Sequence, residues 1–393
     1  MKKIISLVLN GVTHDSRVKK TARTLAAFGD ATVVGFRGKS VESPVLDLGA
    51  FSVDRHVVYD KPSPGLRKKI AQFSSTLRFL GHVLFKHRDA DLVVCNDLET
   101  LPMGVLLRWL GKRGMRVVYD SHEFQTETRW QTPFRKKVTR MVEGWAIRKA
   151  DASVVVSPSI ASEYARIYGI EPPSVVMNCP PLFSVKRTGR LRGALGIPSS
   201  SLIFLYQGGL SPGRGVEDTV EAFRGFQGND RVAVFMGYGP LEGWLRDVEK
   251  QCPTVRLMPA VPPEEVLEYT ADADFGMCLI ENVCLNYYYC LPNKLFEYLM
   301  AGVPVIVSKL FELDRFVVRD GVGVVADENN AEGIRRAVDA ALEMDRDQLM
   351  DRVGAVRQQV SWESQENVWH KIMQELNFLP KSMVSSELKG DLS

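Results

Sequence analysis

The pair Lys294 and Glu297 lies in the stretch LPNKLFEYLMAGVPVIVS, residues 291–308. The pattern predicts a helix that begins at Pro292, where a missing N–H costs nothing, and that ends at Gly302 in a left-handed cap. Residues three apart share one helix face, so the two charges form either a surface salt bridge worth roughly a few tenths of a kcal/mol or a ligand site. In a ligand site, Lys294 at the helix N-terminus would meet phosphate. The acceptor-only carboxylate of Glu297 would bind two hydroxyls of a ribose.

A glycine-rich loop, YQGGLSPGRGVEDTV at residues 206–220, joins a predicted strand to a predicted helix. This arrangement aims backbone N–H groups and a helix N-terminus at an anion. Arg214 and Gly215 stand where a P-loop carries its Lys and its hydroxyl, and the glycine spacing does not fit a dinucleotide-binding fingerprint. The loop therefore predicts a phosphate-binding turn with one arginine, Arg214.

Two other predicted strands end in polar side chains. His122 follows RVVYD, and ligands bind at the carboxyl ends of strands in open α/β sheets, so we predict a functional role for it. We expect its neighbours Asp120 and Glu123 to hold the loop or the imidazole tautomer. Asp97 and Glu99 follow LVVCN and either face a substrate or cap their loop.

No metal site is predicted. The DAD sequences at Asp89–Asp91 and Asp272–Asp274 imitate an Asp-x-Asp metal motif, but both precede strands, so we expect solvated turns between helix and strand. The six cysteines show neither a CxxC motif nor zinc-ligand spacing, and a reducing compartment fits them.

The elements that must position these residues alternate between strand and helix along the chain. Such alternation predicts parallel sheets covered by helices, and two series in tandem predict two Rossmann-like domains facing a cleft. We place the N-terminal domain at 1–181, a linker at 182–200 and the C-terminal domain at 201–360. A final helix at 361–378 is expected to cross back to the first domain, and a flexible tail at 379–393 follows it.

The charge of this 393-residue chain is unevenly distributed. Met1–Val185 carries 28 Lys and Arg against 17 Asp and Glu, although the whole chain has a net charge of only +3. A basic half predicts an anionic partner or surface. Two basic amphipathic helices, predicted at Leu66–Lys86 and Pro133–Lys149, either dock on anionic lipid or are ordinary surface helices. The N-terminus is expected to be a first strand and not a signal peptide, and no apolar run is long enough to span a bilayer.

Several of these segments together resemble the GT-B glycosyltransferases, specifically the family-4-like retaining group. The most specific element is the Pro-Asn-Lys-x-x-Glu-Tyr run of residues 292–298. YQGGLSPGRGVEDTVEAF is similar to the first loop of that family's C-terminal domain. HDSRVKKTARTLAAFG and YDSHE are similar to its N-terminal half, and the Trp-Glu of SWESQENVWHKI is similar to its closing C-terminal helix, so the resemblance covers about Met1 to Phe378.

The resemblance implies a role for each matching residue. Glu297 would bind the ribose of a nucleotide-sugar donor, and Arg214 and Lys294 would bind its diphosphate and stabilise the leaving group. His122 would contact the donor sugar, and Gly11 would let the backbone approach the reaction centre. The catalytic candidates are His122, Arg214 and Lys294. The donor-binding candidates are Gly11, Gly209, Arg214, Gly237, Gly239, Glu281, Asn286, Tyr289, Asn293, Lys294 and Glu297. The acceptor-side candidates are Asn10, Asp97 and Glu123.

One position departs from the family pattern. Many relatives carry a second Glu eight positions before the ribose-binding one, and here that position is Tyr289. Glu281 or Asn286 in the same loop is expected to replace its contact with the sugar.

The sequence thus predicts a metal-independent GT-B glycosyltransferase that needs no cofactor. It would move a sugar from a UDP- or GDP-linked donor to a glycan or lipid-linked acceptor with retention, in surface polysaccharide or glycoconjugate synthesis. A nucleotide-sugar 2-epimerase of the same fold and a non-catalytic nucleotide-sugar-binding protein are the alternatives. We expect a cytoplasmic protein, peripheral on an anionic membrane, with no nucleic-acid partner.

Overall fold

The computed structural model describes residues 1–13, 15–38, 45–59, 66–226, 228 and 230–381. The chain divides into two compact units. Unit 1 comprises Met1–Val176 with Glu366–Ser393, and unit 2 comprises Met177–Gln365. Among the described helices, none is both long enough and apolar enough to cross a membrane.

Unit 1 is built on a sheet with the strand order β3-β4-β2-β1-β5-β6-β7-β8. Its strands are β1 (Lys3–Leu7), β2 (Asp30–Gly38), β3 (Val45–Asp47), β4 (Ser52–Tyr59), β5 (Leu92–Asn96), β6 (Arg116–Asp120), β7 (Ala152–Val155) and β8 (Ser174–Val175). The short edge strand β3 is antiparallel to β4, and the other described pairings are parallel. Strand β5 is buried along its whole length, which explains why its residues read as one apolar run.

Five helices and a short 3₁₀ turn connect the strands of unit 1 in the described chain. They are α1 (Ser16–Leu25), α2 (Leu66–Lys86), α3 (Leu101–Leu110), the 3₁₀ turn Gln125–Glu127, α4 (Pro133–Ile147) and α5 (Pro158–Tyr168). Helix α1 is capped by Asp15, whose carboxylate accepts the Val18 N–H at 3.1 Å. The predicted bounds of α2 are confirmed, and α4 ends two residues earlier than predicted.

Unit 2 holds a six-stranded parallel sheet with the order β11-β10-β9-β12-β13-β14. Its strands are β9 (Leu202–Gly209), β10 (Arg231–Tyr238), β11 (Val255–Pro259), β12 (Phe275–Cys278), β13 (Val305–Ser308) and β14 (Gly323–Ala326). Counted from β9, this is the order 3-2-1-4-5-6 of dinucleotide-binding folds, and its direction reverses between β9 and β12. The carboxyl ends of these two strands are therefore where a ligand is expected.

The helices of unit 2 follow the strands in alternation. They are α6 (Arg190–Leu195), α7 (Val216–Arg224), α8 (Glu242–Glu249), α9 (Val266–Thr270), α10 (Leu285–Tyr288), α11 (Asn293–Met300), α12 (Phe311–Asp320), α13 (Ala331–Glu343) and α14 (Arg346–Val356). A last helix, α15 (Trp362–Glu375), begins in unit 2 and ends in unit 1. Helix α11 begins after Pro292, and Gly302 follows it with a left-handed φ of 74°, as its sequence predicts. It is anchored on the sheet because the Tyr298 ring packs where Gly276 of β12 has no side chain, and a Cβ there would lie 2.2 Å from the ring.

The predicted linker, 182–200, contains α6 and belongs to unit 2. Residues of α15 up to Gln365 belong to unit 2 and those from Glu366 to unit 1. Most of the predicted tail, 382–393, lies outside the described residues.

The prediction of a solvated turn at Asp272–Asp274 was wrong. Both carboxylates are buried. Asp272 accepts the backbone N–H groups of Thr188, Gly189 and Leu191 at the start of α6. Asp274 accepts the Ile203 N–H of β9 at 2.9 Å. The two acids are structural because they satisfy backbone donors that burial would otherwise leave unpaired.

Candidate functional site

The loop after β9 needs glycine for steric reasons. Gly213 and Gly215 have left-handed φ values of 82° and 75°. A Cβ on Gly215 would lie 2.0 Å from the carbonyl oxygen of Leu279, just after β12. The loop is therefore packed against the neighbouring strand end, and Arg214 lies between two glycines in the left-handed conformation.

Lys294 is a buried cation without a hydrogen-bond partner. Only 8% of the residue is exposed, and among the described residues its Nζ finds no hydrogen-bonding group. The Nζ lies 3.7 Å from the centre of the Tyr206 ring, whose π face partly compensates the charge. Burial, together with the charge of Arg214, lowers the pKa of Lys294 to about 8. A buried ammonium that lacks a partner is expected to be completed by an anionic ligand.

Arg214 is the second cation of this group. Its guanidinium carbon lies 5.0 Å from the centre of the Tyr287 ring, and it is half-buried. In the described part of the chain no carboxylate lies within ion-pair distance of Arg214, and its charge lowers the pKa of Lys294. Two cations that repel each other at the end of β9 form a site for a multiply charged anion.

Glu297 is held in place by a side chain that the sequence analysis missed. Its Oε2 accepts the Gln207 Nε2–H at 2.5 Å, and Gln207 Oε1 accepts the Thr270 hydroxyl at 2.7 Å. The Gln207 backbone N–H also donates to the Tyr298 hydroxyl at 2.9 Å. Gln207 is buried within the apolar strand β9, and a polar residue in such a run is the one signal that could have revealed it.

The strand ends beside this group leave no room for side chains. A Cβ on Gly237 would lie 1.9 Å from the Gly208 carbonyl oxygen, its register partner on β9. A Cβ on Gly239 would lie 2.3 Å from the Leu210 carbonyl oxygen. These two predicted donor-binding residues therefore keep β10 and the loop after β9 close together, and Gly209 ends β9 with an exposed backbone.

The loop from β12 to α11 carries the other predicted donor-binding residues. The Glu281 backbone N–H donates to the Gly213 carbonyl at 3.3 Å, which ties this loop to the glycine loop. Asn286 is buried in the short helix α10. The Tyr289 ring is tilted against the Tyr288 ring, with the ring centres 5.2 Å apart, and lies edge-on to Phe311. Asn293 is exposed and accepts the Asn178 side-chain amide at 2.9 Å.

In unit 1, His122 lies between two carboxylates. Its Nδ1 is 3.5 Å from Asp97 Oδ2, and its Nε2 is 3.4 Å from Asp120 Oδ2. Burial alone would lower the pKa of His122, but the two carboxylates outweigh it and raise the pKa above its usual value. Asp120 is itself paired with the buried Arg17, whose Nη2 lies 2.5 Å from Oδ1. Burial would raise the pKa of Asp120, but the charges of Arg17 and His122 hold it well below its usual range.

The remaining predicted residues of unit 1 surround the ends of β1 and β6. Asn10 accepts the Val12 N–H through its side chain at 2.8 Å and donates to Asp15 at 2.8 Å. A Cβ on Gly11 would make only ordinary contacts, the nearest at 3.7 Å from the Phe36 carbonyl, so packing does not demand glycine there. The Glu123 carbonyl accepts the Ser121 hydroxyl at 2.8 Å.

Each unit thus gathers its own candidates. In unit 2, the ends of β9, β10 and β12 meet the start of α11, which brings Arg214, Lys294, Glu297 and the glycines into one site. In unit 1, the neighbouring strands β1, β5 and β6 place Asn10, Asp97 and His122 along one edge of the sheet.

A separate cluster in unit 1 could hold a cation. Asp54, His82 and His87 offer ligand atoms within 4.8 Å of one another. The same Asp54 Oδ2 also lies 2.8 Å from the Lys86 Nζ. Burial would raise the pKa of Asp54, but hydrogen bonds from His87, Lys86 and His82 hold it well below its usual range. The Asp54 carboxylate is therefore already held in an ion-paired hydrogen-bond network.

Solved structures with this architecture define the class of fold. The chain is similar to sucrose-phosphate synthase from Thermosynechococcus elongatus, with a TM-score of 0.76, 17% identity and coverage of 96% of this chain and 99% of that one. It is similar to Anabaena HepE in complex with UDP-glucose, with a TM-score of 0.70, 14% identity and coverage of 96% and 100%. For the catalytic domain of Arabidopsis thaliana starch synthase IV bound to ADP and acarbose, the TM-score is 0.70, the identity 13% and the coverage 96% and 99%. The fold is that of the GT-B glycosyltransferases, as predicted.

The family models are more specific. Residues 14–181 match the glycosyl transferase 4-like domain, and residues 188–357 match the glycosyl transferases group 1 domain. The chain carries both domains and is a glycosyltransferase, which decides against a non-catalytic binding protein. No curated protein sequence matches the chain.

Proposed function

We propose that the protein transfers a sugar from a UDP- or GDP-linked donor to a glycan or lipid-linked acceptor, with retention of configuration at the transferred carbon. The observation that carries this proposal is the buried, unpartnered Nζ of Lys294 beside Arg214. A nucleoside diphosphate supplies the negative charge that would neutralise both cations. Glu297 lies one helical turn beyond Lys294, where a ribose joined to that diphosphate can reach it.

In this proposal the protein's own cations stabilise the leaving group. Negative charge develops on the diphosphate as the bond to the sugar breaks, and preorganised cations stabilise it best. Arg214, Lys294 and the N-terminus of α11 supply positive charge there, so no metal or cofactor is required. His122 contacts the donor sugar, and Glu281 or Asn286 makes the sugar contact that Tyr289 does not. Asp97, Asn10 and Glu123 lie on the acceptor side.

The solved neighbours support a nucleotide-sugar donor, because HepE was determined with UDP-glucose and starch synthase IV with ADP. We place the protein in the cytoplasm, where nucleotide sugars are made, and in surface polysaccharide or glycoconjugate synthesis.

Thermal unfolding with a panel of nucleoside diphosphates and their sugars tests the donor proposal. A ligand that binds only the folded state must raise the unfolding temperature. We expect UDP or GDP and one of the corresponding sugars to do so in the wild type and to do so much less in Lys294→Ala. Lys309→Ala is the matched control, because Lys309 is an exposed lysine of unit 2 paired with Asp327. Equal shifts of the unfolding temperature in both variants would show that Lys294 is not part of the donor site.

NMR of the donor with the enzyme alone separates transfer from epimerisation. A transferase leaves the configuration of the donor sugar unchanged and releases nucleoside diphosphate only when an acceptor or water accepts the sugar. A 2-epimerase converts the donor into its epimer without an acceptor, and that spectrum would replace our proposal.

Gln207 is expected to position Glu297 for the ribose. Gln207→Ala removes a hydrogen bond to a carboxylate, an interaction of about 1.5–3 kcal/mol, so UDP affinity should fall on the order of tenfold or more. The specific readout is the ratio of the affinities for UDP and 2′-deoxy-UDP, measured by calorimetry. This ratio should be large in the wild type and fall toward one in the variant.

Glu297→Ala provides the limiting case, since it removes the proposed ribose ligand itself. If Gln207→Ala lowers both affinities equally and leaves the ratio unchanged, Gln207 supports the fold and does not position Glu297.

A further inference from the structure

Helix α4 of unit 1 is oriented by a buried carboxylate. Glu143 is fully buried, and its two oxygens accept hydroxyl hydrogen bonds from Tyr119, Tyr164 and Tyr168 at 2.7, 2.7 and 2.6 Å. The next residue, Gly144, lies against the Tyr168 ring, which a Cβ would approach to 3.0 Å. These contacts fix the rotation of α4 about its own axis. They therefore decide which face of the helix meets solvent.

The face opposite Glu143 is apolar. It carries Phe134, Val138, Met141 and Trp145, which are 77%, 39%, 68% and 43% exposed. At about 100° per residue these side chains fall within an arc of roughly 60°, centred opposite Glu143. A surface helix normally turns its apolar stripe to the core and its polar face to water, and α4 does the reverse over this arc.

The stripe continues onto α3. Trp109 and Leu110 are 60% and 62% exposed, and the Trp109 ring lies 5.9 Å from the Trp145 ring. The Lys149 Nζ lies 5.4 and 5.7 Å from the centres of these two rings. We call the exposed residues Trp109, Leu110, Phe134, Val138, Met141 and Trp145 the α3–α4 surface.

Positive charge borders the α3–α4 surface. Arg135 and Lys137 are exposed on either side of the stripe, and in the described chain neither has a carboxylate within ion-pair distance. Lys136 and Arg140, further round the helix, pair with Glu127. The only acidic residue of α4 is the buried Glu143, so the solvent-facing charges of this helix are all positive.

We propose that the α3–α4 surface docks on an anionic lipid bilayer. The aromatic and aliphatic side chains enter the interfacial layer, and Arg135, Lys137 and Lys149 reach phosphate groups of the lipids beside them. An apolar stripe flanked by cations, with Trp among its members, is the pattern of helices that lie in a membrane interface. This inference does not depend on the donor chemistry proposed above.

Co-sedimentation with vesicles tests the apolar part of the proposal. The wild type should bind vesicles of phosphatidylglycerol mixed with phosphatidylcholine. The double variant Phe134→Ser/Met141→Ser should bind on the order of tenfold more weakly, because its two most exposed side chains no longer leave water. Val318→Ser is the matched control and should bind like the wild type, since Val318 on α12 of unit 2 is also 68% exposed.

Charge reversal tests the anionic part. Arg135→Glu/Lys137→Glu should weaken binding at least about tenfold, since each cation near an anionic surface contributes on the order of fivefold. Lys250→Glu/Lys371→Glu changes the net charge equally at exposed sites elsewhere and should have little effect. Vesicles of phosphatidylcholine alone should bind poorly.

Fluorescence locates the contact. Lipids brominated in their acyl chains should quench the tryptophan emission of the bound wild type. Trp145→Phe should lose more of this quenching than Trp244→Phe, which removes a partly exposed tryptophan of unit 2. Thermal unfolding and UDP binding should be unchanged in every variant, which shows that each is folded.

Three outcomes would overturn the proposal. One is equal vesicle binding by the wild type and the double serine variant. Another is binding to neutral vesicles that charge reversal does not weaken. The third is a wild type that does not bind vesicles but self-associates in ultracentrifugation, while the double serine variant stays monomeric. The α3–α4 surface would then be an interface between copies of this chain.

Discussion

Lys294→Ala and Arg214→Ala are each expected to lower kcat for sugar transfer on the order of 10²-fold or more. Each change removes a cation aimed at the position where negative charge develops on the departing diphosphate, and the loss of one such group typically has an effect of this size. The measurement is steady-state release of nucleoside diphosphate with saturating donor, so that weaker donor binding does not enter the comparison.

Matched variants separate this effect from a loss of local charge. Lys309→Ala and Arg246→Ala remove a lysine and an arginine of unit 2 that form exposed ion pairs with Asp327 and Glu242. Both should turn over donor at the wild-type rate. Wild-type turnover in Lys294→Ala and Arg214→Ala would contradict the assigned roles.

The stability of the ligand-free protein gives a second readout for Lys294. Its pKa of about 8 in the folded protein lies below the ordinary value of 10.5. A lysine whose folded pKa is lowered destabilises the fold at every pH where it is charged in both states. The cost is therefore present below about pH 8 and disappears as the pH rises toward the unfolded pKa. Lys294→Met should accordingly raise the free energy of unfolding near neutral pH, by up to roughly 3 kcal/mol. A residue that lowers stability and is needed for turnover is functional and not structural.

Donor binding is expected to take up a proton in mildly alkaline solution. Above pH 8 the free enzyme holds Lys294 largely neutral, and a bound diphosphate raises its pKa because it places negative charge beside the ammonium. The affinity for UDP should therefore fall as the pH rises above about 8, by up to roughly tenfold per pH unit until the pKa of the complex is reached. Calorimetry in two buffers of different ionisation enthalpy measures the proton directly.

No other titratable group considered near Lys294 would produce the same proton uptake on UDP binding in this pH range. Burial raises the pKa of Cys278 to about 11, and Tyr206 is shifted upward as well. The terminal phosphate of UDP loses its last proton at about pH 6, below the pH range in which the affinity should fall. Lys294→Arg keeps a cation that does not titrate here, so its UDP binding should take up no proton. An affinity that stays flat with pH in the wild type, with equal heats in both buffers, would show that Lys294 does not meet the diphosphate.

The sequence by itself determined the class of fold and much of the candidate site. Local patterns carry this information, because each strand of a buried parallel sheet is an apolar run and each helix has capping residues at its ends. The helix start before Lys294, the glycine loop around Arg214 and the strand end before His122 were read from segments of fewer than twenty residues. The family resemblance added their roles, since spacing alone does not distinguish a ribose ligand from half of a surface salt bridge.

Only the tertiary structure decided which side chains are held by partners distant in sequence. Gln207 meets Glu297 across ninety residues, and Asp120 meets Arg17 across 103. Asp272 and Asp274 are buried because segments far along the chain present unpaired N–H groups to them. From the sequence alone, the apolar stripe of α4 is equally compatible with a face that packs on the core and with a face that meets solvent. Its exposure follows from three tyrosines that bind Glu143 on the opposite face. The physical reason is common to all of them: periodicity identifies the faces of an element, but the burial of each face depends on what packs against it.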